Sequence, residues 1–136
     1  MKSVFIDTGG FFALIVRDDA HHAHAHDAFS RANAERWRLV TTNAVIWEAH
    51  ALLLNRTNPG RDNALRLLDL AETDAYRVER VRRRDEGRAL ALVRSHADKA
   101  YSLCDALSFA VMERPGIDHA IAFDRHFREY GRWTVL

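Results

Sequence analysis

Cysteine is nearly absent: the 136-residue chain carries one, Cys104. An internal disulfide is therefore impossible, and so is a zinc site built on paired cysteines. This favours a reducing compartment, and the expected location is the cytoplasm. Long apolar runs are missing too. Nothing approaches the roughly 18 residues needed to span a membrane, so no membrane association is expected. Asp7 interrupts the N-terminal apolar stretch before it could act as a secretory signal core. Charge of one sign is also lacking. The formal net charge is +1, so no whole-molecule field selects nucleic acid, and any basic surface must be local. There is no internal repeat, low-complexity segment or linker, and the length fits a single domain over residues 1–136. What is present, 48 % hydrophobic and 29 % charged residues, is enough apolar side chain for a real core and argues against disorder.

Strand and helix signals alternate along the chain. Apolar, β-branched or alternating stretches predict strands over Lys2–Ile6, Arg38–Thr42, Tyr76–Val81, Ile117–Phe123 and Trp133–Val135. Between them lie helix patterns over Gly10–Val16, His21–Ala34, Ala44–Leu54, Asp62–Glu72, Asp85–Ser95, Ser102–Arg114 and Arg125–Tyr130. Asn43 is the expected N-cap of the third helix. Asn58-Pro59-Gly60 reads as a turn, and Pro115-Gly116 as a helix stop. Repeated β–α alternation implies an α/β fold, a parallel sheet covered by helices on both faces.

Four acids stand in unusually apolar settings. Asp7 follows Val4-Phe5-Ile6, and Asp124 follows Ala120-Ile121-Ala122-Phe123. Each therefore sits at the carboxyl end of a buried strand, where open α/β sheets keep their ligand crevices. The structural alternative is that each caps the helix that follows. Glu48 shares a helical stripe with Ala44, Trp47, Ala51 and Leu52, where an unpaired ionised carboxylate would be costly and a nearby cation would resolve the cost. Asp105 forms a capping-box pattern with Ser102, a purely structural device, at a helix N-terminus that also receives anions. Four clustered carboxylates repel one another, so an empty site should hold at least one raised pKa, and oxygen-only ligands suit Mg²⁺ or Mn²⁺.

Ile-Asp-Thr-Gly near the N-terminus, Thr-Thr-Asn-Ala-Val-Ile-Trp-Glu, Ser-Leu-Cys-Asp-Ala-Leu-Ser-Phe-Ala and Ala-Phe-Asp-Arg-His-Phe resemble the four conserved blocks of PIN-domain proteins. The closest subgroup resembles the compact VapC-type toxins. The resemblance implies a three-layer α/β/α sandwich with a central five-stranded parallel sheet. It implies a Mg²⁺- or Mn²⁺-dependent endoribonuclease acting on an RNA substrate and held inactive by a cognate antitoxin protein. By matching blocks, Asp7, Glu48, Asp105 and Asp124 are the acidic catalytic site. Asp7 and Asp105 are the metal ligands, supported by Glu48 and Asp124, and Thr8 is the small hydroxyl residue after the first acid. A homodimer is expected. The rival readings are a catalytically silent RNA- or protein-binding module and a phosphatase-like Asp enzyme. The latter would place a second Asp two residues after the first, where this chain has Gly9.

Other features invite function with less support. His21, His22, His24 and His26 include an i, i+4 pair but lack the Glu of H-E-x-x-H, and a solvated helix face is expected. Thr8-Gly9-Gly10 is too short for a phosphate loop and should ease the strand-to-helix turn. Arg77, Arg80, Arg82, Arg83, Arg84 and Arg88 form a local basic run. It reads either as a solvated edge paired with Glu79, Asp85 and Glu86 or as an RNA-backbone contact. Trp37 and Trp47 are expected to pack rather than stack on bases.

Overall fold

The computed structural model describes residues 2–114 and 116–136. Five strands, β1 (Ser3–Ile6), β2 (Arg38–Thr42), β3 (Tyr76–Glu79), β4 (Ile117–Ile121) and β5 (Thr134–Val135), form one sheet in the order β3-β2-β1-β4-β5. Every pairing is parallel. Seven helices connect them: α1 (Thr8–Ile15), α2 (His22–Ala34), α3 (Asn43–Arg56), α4 (Gly60–Ala71), α5 (Arg83–Ser95), α6 (Leu103–Met112) and α7 (Arg125–Tyr130). The chain steps outward from β1 to β2 to β3, then crosses back over β1 to β4 and β5. Crossovers of one hand that run in opposite directions lay their helices on opposite faces, which makes the α/β/α sandwich. None of the helices among the described residues is long and apolar enough to cross a membrane.

The switch in direction falls between β1 and β4, and a crevice opens there at the carboxyl ends of the strands. β1 is the centre of the core, with Val4, Phe5 and Ile6 fully buried. The Thr41 hydroxyl donates to the Ile6 carbonyl at 2.9 Å, and the Asp7 amide donates to the Ile121 carbonyl at 3.1 Å. Both bonds pin the backbone where β1 turns toward the crevice. Gly10 lets α1 lie on β4, because a Cβ there would stand 2.7 Å from the Ile121 carbonyl oxygen. Its requirement is close approach rather than an unusual turn conformation.

Beneath α7, an aromatic cluster fixes the far wall. Phe109 stacks on Tyr130 at 4.5 Å between centroids and meets Phe127 edge-on at 5.0 Å, and Tyr130 stacks on Trp133 at 5.3 Å. Phe127, fully buried, anchors α7 in this cluster.

Three local expectations change. Thr42, not Asn43, caps α3: its hydroxyl accepts from the Val45 amide at 3.1 Å. Asn43 lies inside the helix and instead accepts from the Val81 amide at 2.9 Å, tying α3 to the end of β3. The stripe Ala44–Trp47–Ala51 is not the buried one. Val45, Ala49 and Leu53 face the core, while Trp47 is 66 % exposed and packs on nothing that buries it. A helix apolar almost all round gives no periodic signal for which stripe is inside. Trp37 does pack, at 8 % exposure. Gly116 follows α6, whereas the expected stop at Pro115 lies outside the described residues.

Candidate active site

One cavity of about 510 Å³ at the switch point is lined by Asp7, Glu48, Asp105 and Asp124 together. Each arrives by a different route. Asp7 directly follows β1 and is 4 % exposed. It occupies the N-cap position of α1 yet makes no side-chain cap bond, so capping does not account for it. Asp105 does cap. Its Oδ2 accepts from the Ser102 amide at 3.1 Å, and the Ser102 hydroxyl accepts from the Asp105 amide at 3.0 Å. Asp124 accepts from the His126 amide at 2.8 Å and starts α7. For both, the structural and site readings describe the same residue, with carboxylate lone pairs to spare.

Glu48 differs from its expected setting. It is exposed on α3 and reaches the cavity from the solvent side. Burial pushes the pKa of the nearby Cys104 thiol up, with the charges of Glu48 and Asp7 acting the same way.

The raised pKa expected in the empty site belongs to Asp7, pushed from 3.8 up to about 8. Burial is the largest cause, and the charges of Asp105, Glu48 and Asp124 add to it against the lowering effect of the Thr8 amide. No single neighbouring charge matches burial as a cause.

His126 was not singled out from the sequence, although it stands inside the Asp-Arg-His-Phe block. Its Nδ1 lies 2.8 Å from Asp105 Oδ2 and 3.1 Å from Asp124 Oδ1. Facing two carboxylate oxygens, that nitrogen donates. Ligand atoms of Asp105, Asp124 and His126 all lie within 4.8 Å of one another, the one such group among the described residues. Asp7 lines the same cavity without belonging to that set of three.

The donor set suits a hard divalent cation. Carboxylate oxygens dominate, one imidazole is at hand, and the Thr8 hydroxyl is buried beside Asp7 without a hydrogen-bond partner. An orphaned hydroxyl of that kind fits an ion or its bound water.

None of the four neighbouring histidines His21, His22, His24 and His26 joins this ligand set among the described residues, although His21, just before α2, lines the same cavity. His22 Nδ1 bonds the Ala13 carbonyl at 2.7 Å, and His21 and His24 pack on Phe123 at 4.7 and 5.1 Å. The basic run is divided: Arg77 pairs with Glu79 at 2.5 Å and Arg88 with Glu113 at 3.3 Å. Arg80, Arg82, Arg83 and Arg84 enter no ion pair among the described residues. Arg114 is the cation that holds both Glu79, at 3.0 Å, and the buried Asp85.

Comparison with known proteins shows the family and the fold. The chain is 33 % identical over 128 residues to the 23S rRNA-specific endonuclease VapC20 of two strains of Mycobacterium tuberculosis, covering 94 % of each chain. It also superposes on the crystal structure of M. tuberculosis VapC20, described as a Sarcin-Ricin loop cleaving toxin. The TM-score is 0.84 at 34 % identity, with 96 % of each chain covered. Residues 4–132 match the PIN domain, and the chain belongs to the PIN-domain family.

Proposed function

We propose that this chain is a metal-dependent endoribonuclease, the toxin half of a toxin–antitoxin pair, folded as a single PIN domain. The observation that carries the reading is the convergence of Asp7, Glu48, Asp105 and Asp124 on one cavity at the switch point of a parallel sheet. A buried carboxyl whose pKa is pushed up to about 8, facing three other acids in one cavity, supports the enzyme reading over a silent binding module. The ordering of VapC20 as a 23S rRNA endonuclease makes 23S rRNA the first substrate to test. Mg²⁺ or Mn²⁺ is the proposed ion, with a cognate antitoxin, a homodimer and a cytoplasmic location completing the reading.

Asp105, Asp124 and Asp7 would hold the ion, with Glu48 and His126 lining the same cavity. When bound, such an ion polarises a phosphoryl oxygen and lowers the pKa of a water. The residues do the rest. The capping bonds of Asp105 and Asp124 fix their carboxylates before substrate arrives, so little reorganisation remains. Glu48, open to solvent, can accept a proton from an attacking water and pass it to bulk.

The deciding experiment is cleavage of 23S rRNA by the purified protein with Mg²⁺ or Mn²⁺, with EDTA, and with Asp7→Asn. Cleavage by wild type alone, lost in the other two, is expected. Equal cleavage by Asp7→Asn would remove Asp7 from the site.

A further inference from the structure

The acidic cavity does not end at the acids. Phe12 of α1 and Arg56 of α3 line it, and both also line a second cavity of about 610 Å³ between α1 and the α3–α4 turn. That second cavity is basic: Arg17, Arg56 and Arg66 stand against a single carboxylate, Asp18. Among the described residues none of these three guanidiniums enters an ion pair, and all three are exposed. The turn that presents Arg56 is firmly built. The Thr57 hydroxyl donates to the Leu53 carbonyl at 2.5 Å, and the Asn63 amide donates to that hydroxyl at 3.0 Å. Gly60 lets α4 fold back, since a Cβ there would stand 2.2 Å from the Leu54 carbonyl oxygen.

We infer that these two cavities form one RNA track, in which Arg56 and Arg66 hold the strand's phosphates to one side of the bond being cut. The inference rests on the nuclease reading above. A strand with one phosphate at the acids must carry its next phosphates out of the cavity. The acids repel those phosphates, so the exit needs cations within a nucleotide or two. Arg56 stands at that point, shared by both cavities, with Arg17 and Arg66 beyond it. Arg56 is a positioning residue here: it touches the backbone of the substrate, not the reacting phosphate. Guanidinium forks suit phosphate oxygens, and Phe12 offers an apolar face between the two charged regions.

Binding of a short fluorescein-labelled single-stranded RNA, followed by anisotropy in EDTA over a range of salt, tests the track apart from cleavage. Arg56→Ala and Arg66→Ala should each weaken binding several-fold. The double variant should also flatten the dependence of log affinity on log salt by about 0.7 for each lost phosphate contact. Arg56→Lys should keep most of that slope, because the charge remains. Arg94→Ala, an exposed change on α5, should match wild type in both quantities. A double variant with wild-type affinity and slope overturns the track. If it keeps RNA affinity but no longer co-purifies with a protein expressed from the adjacent reading frame, the groove is a protein interface and the inference also fails. Arginine-dependent binding by a wild type that cleaves no RNA with Mg²⁺ or Mn²⁺ would leave the track standing and retire the nuclease reading.

Discussion

At the scale of single residues, Asp7 makes the sharpest statement. Its folded pKa, about 8 against an ordinary 3.8, means the native protein binds more protons than the unfolded chain between those values. In the metal-free protein this group therefore contributes stability that is fully present below about pH 4 and is lost as pH rises toward 8. Asp7→Asn should flatten that dependence in urea titrations across pH. Binding a cation requires the ionised carboxyl, so Mn²⁺ affinity should climb by up to about tenfold per pH unit below pH 8, with proton release seen in calorimetry from two buffers. Glu48 behaves differently because water reaches it. Glu48→Gln should leave the melting temperature of the metal-free protein within error, yet reduce the rise that Mn²⁺ produces, since ligand stabilisation follows affinity. A lower metal-free melting temperature would place Glu48 in a structural pair instead. Asp7 was legible because a charge ended an apolar run. The exposure of Glu48 was not, since a stripe of alanine and tryptophan beside it looked like core and faces solvent.

Elements are held by contacts that join distant parts of the sequence. Gly10→Ala should destabilise the protein by about 1–3 kcal/mol in urea unfolding, because α1 would have to lift from β4. Arg114 closes the end of α6 onto β3 and α5 through Glu79 and Asp85, whose side chains are 13 % and 6 % exposed. Arg114→Ala should cost about 3–5 kcal/mol, because Asp85 would be left buried without a cation while Glu79 keeps only Arg77. A cost below 1 kcal/mol would show that water replaces it. The order of strands and helices was readable from alternating apolar patterns. Arg114 was not, because its partners lie 35 and 29 residues away and only the folded chain brings them together. His126 was hidden for a similar reason: its value comes from Asp105, 21 residues earlier.

The whole molecule divides its carboxylates into two kinds, and the division has a genetic consequence. Asp105 completes the capping box of α6 and Asp124 caps α7, whereas Asp7 and Glu48 make no cap bond. Expression of an uninhibited ribonuclease should arrest growth, and survivors will carry lesions. Loss of Asp7 removes a group that disfavours folding above pH 4, so such survivors should accumulate soluble, inert protein. Loss of Asp105 or Asp124 removes a cap as well as a charge, a deficit of about 1 kcal/mol each. Sequencing survivors sorted by soluble yield should therefore find substitutions at Asp7 and Glu48 in the high-yield fraction and those at Asp105 and Asp124 in the low. An even spread across the four would mean the caps add nothing to the fold. Where the pattern holds, the chain has two routes to harmlessness, and only one of them leaves behind a folded protein still able to occupy an antitoxin.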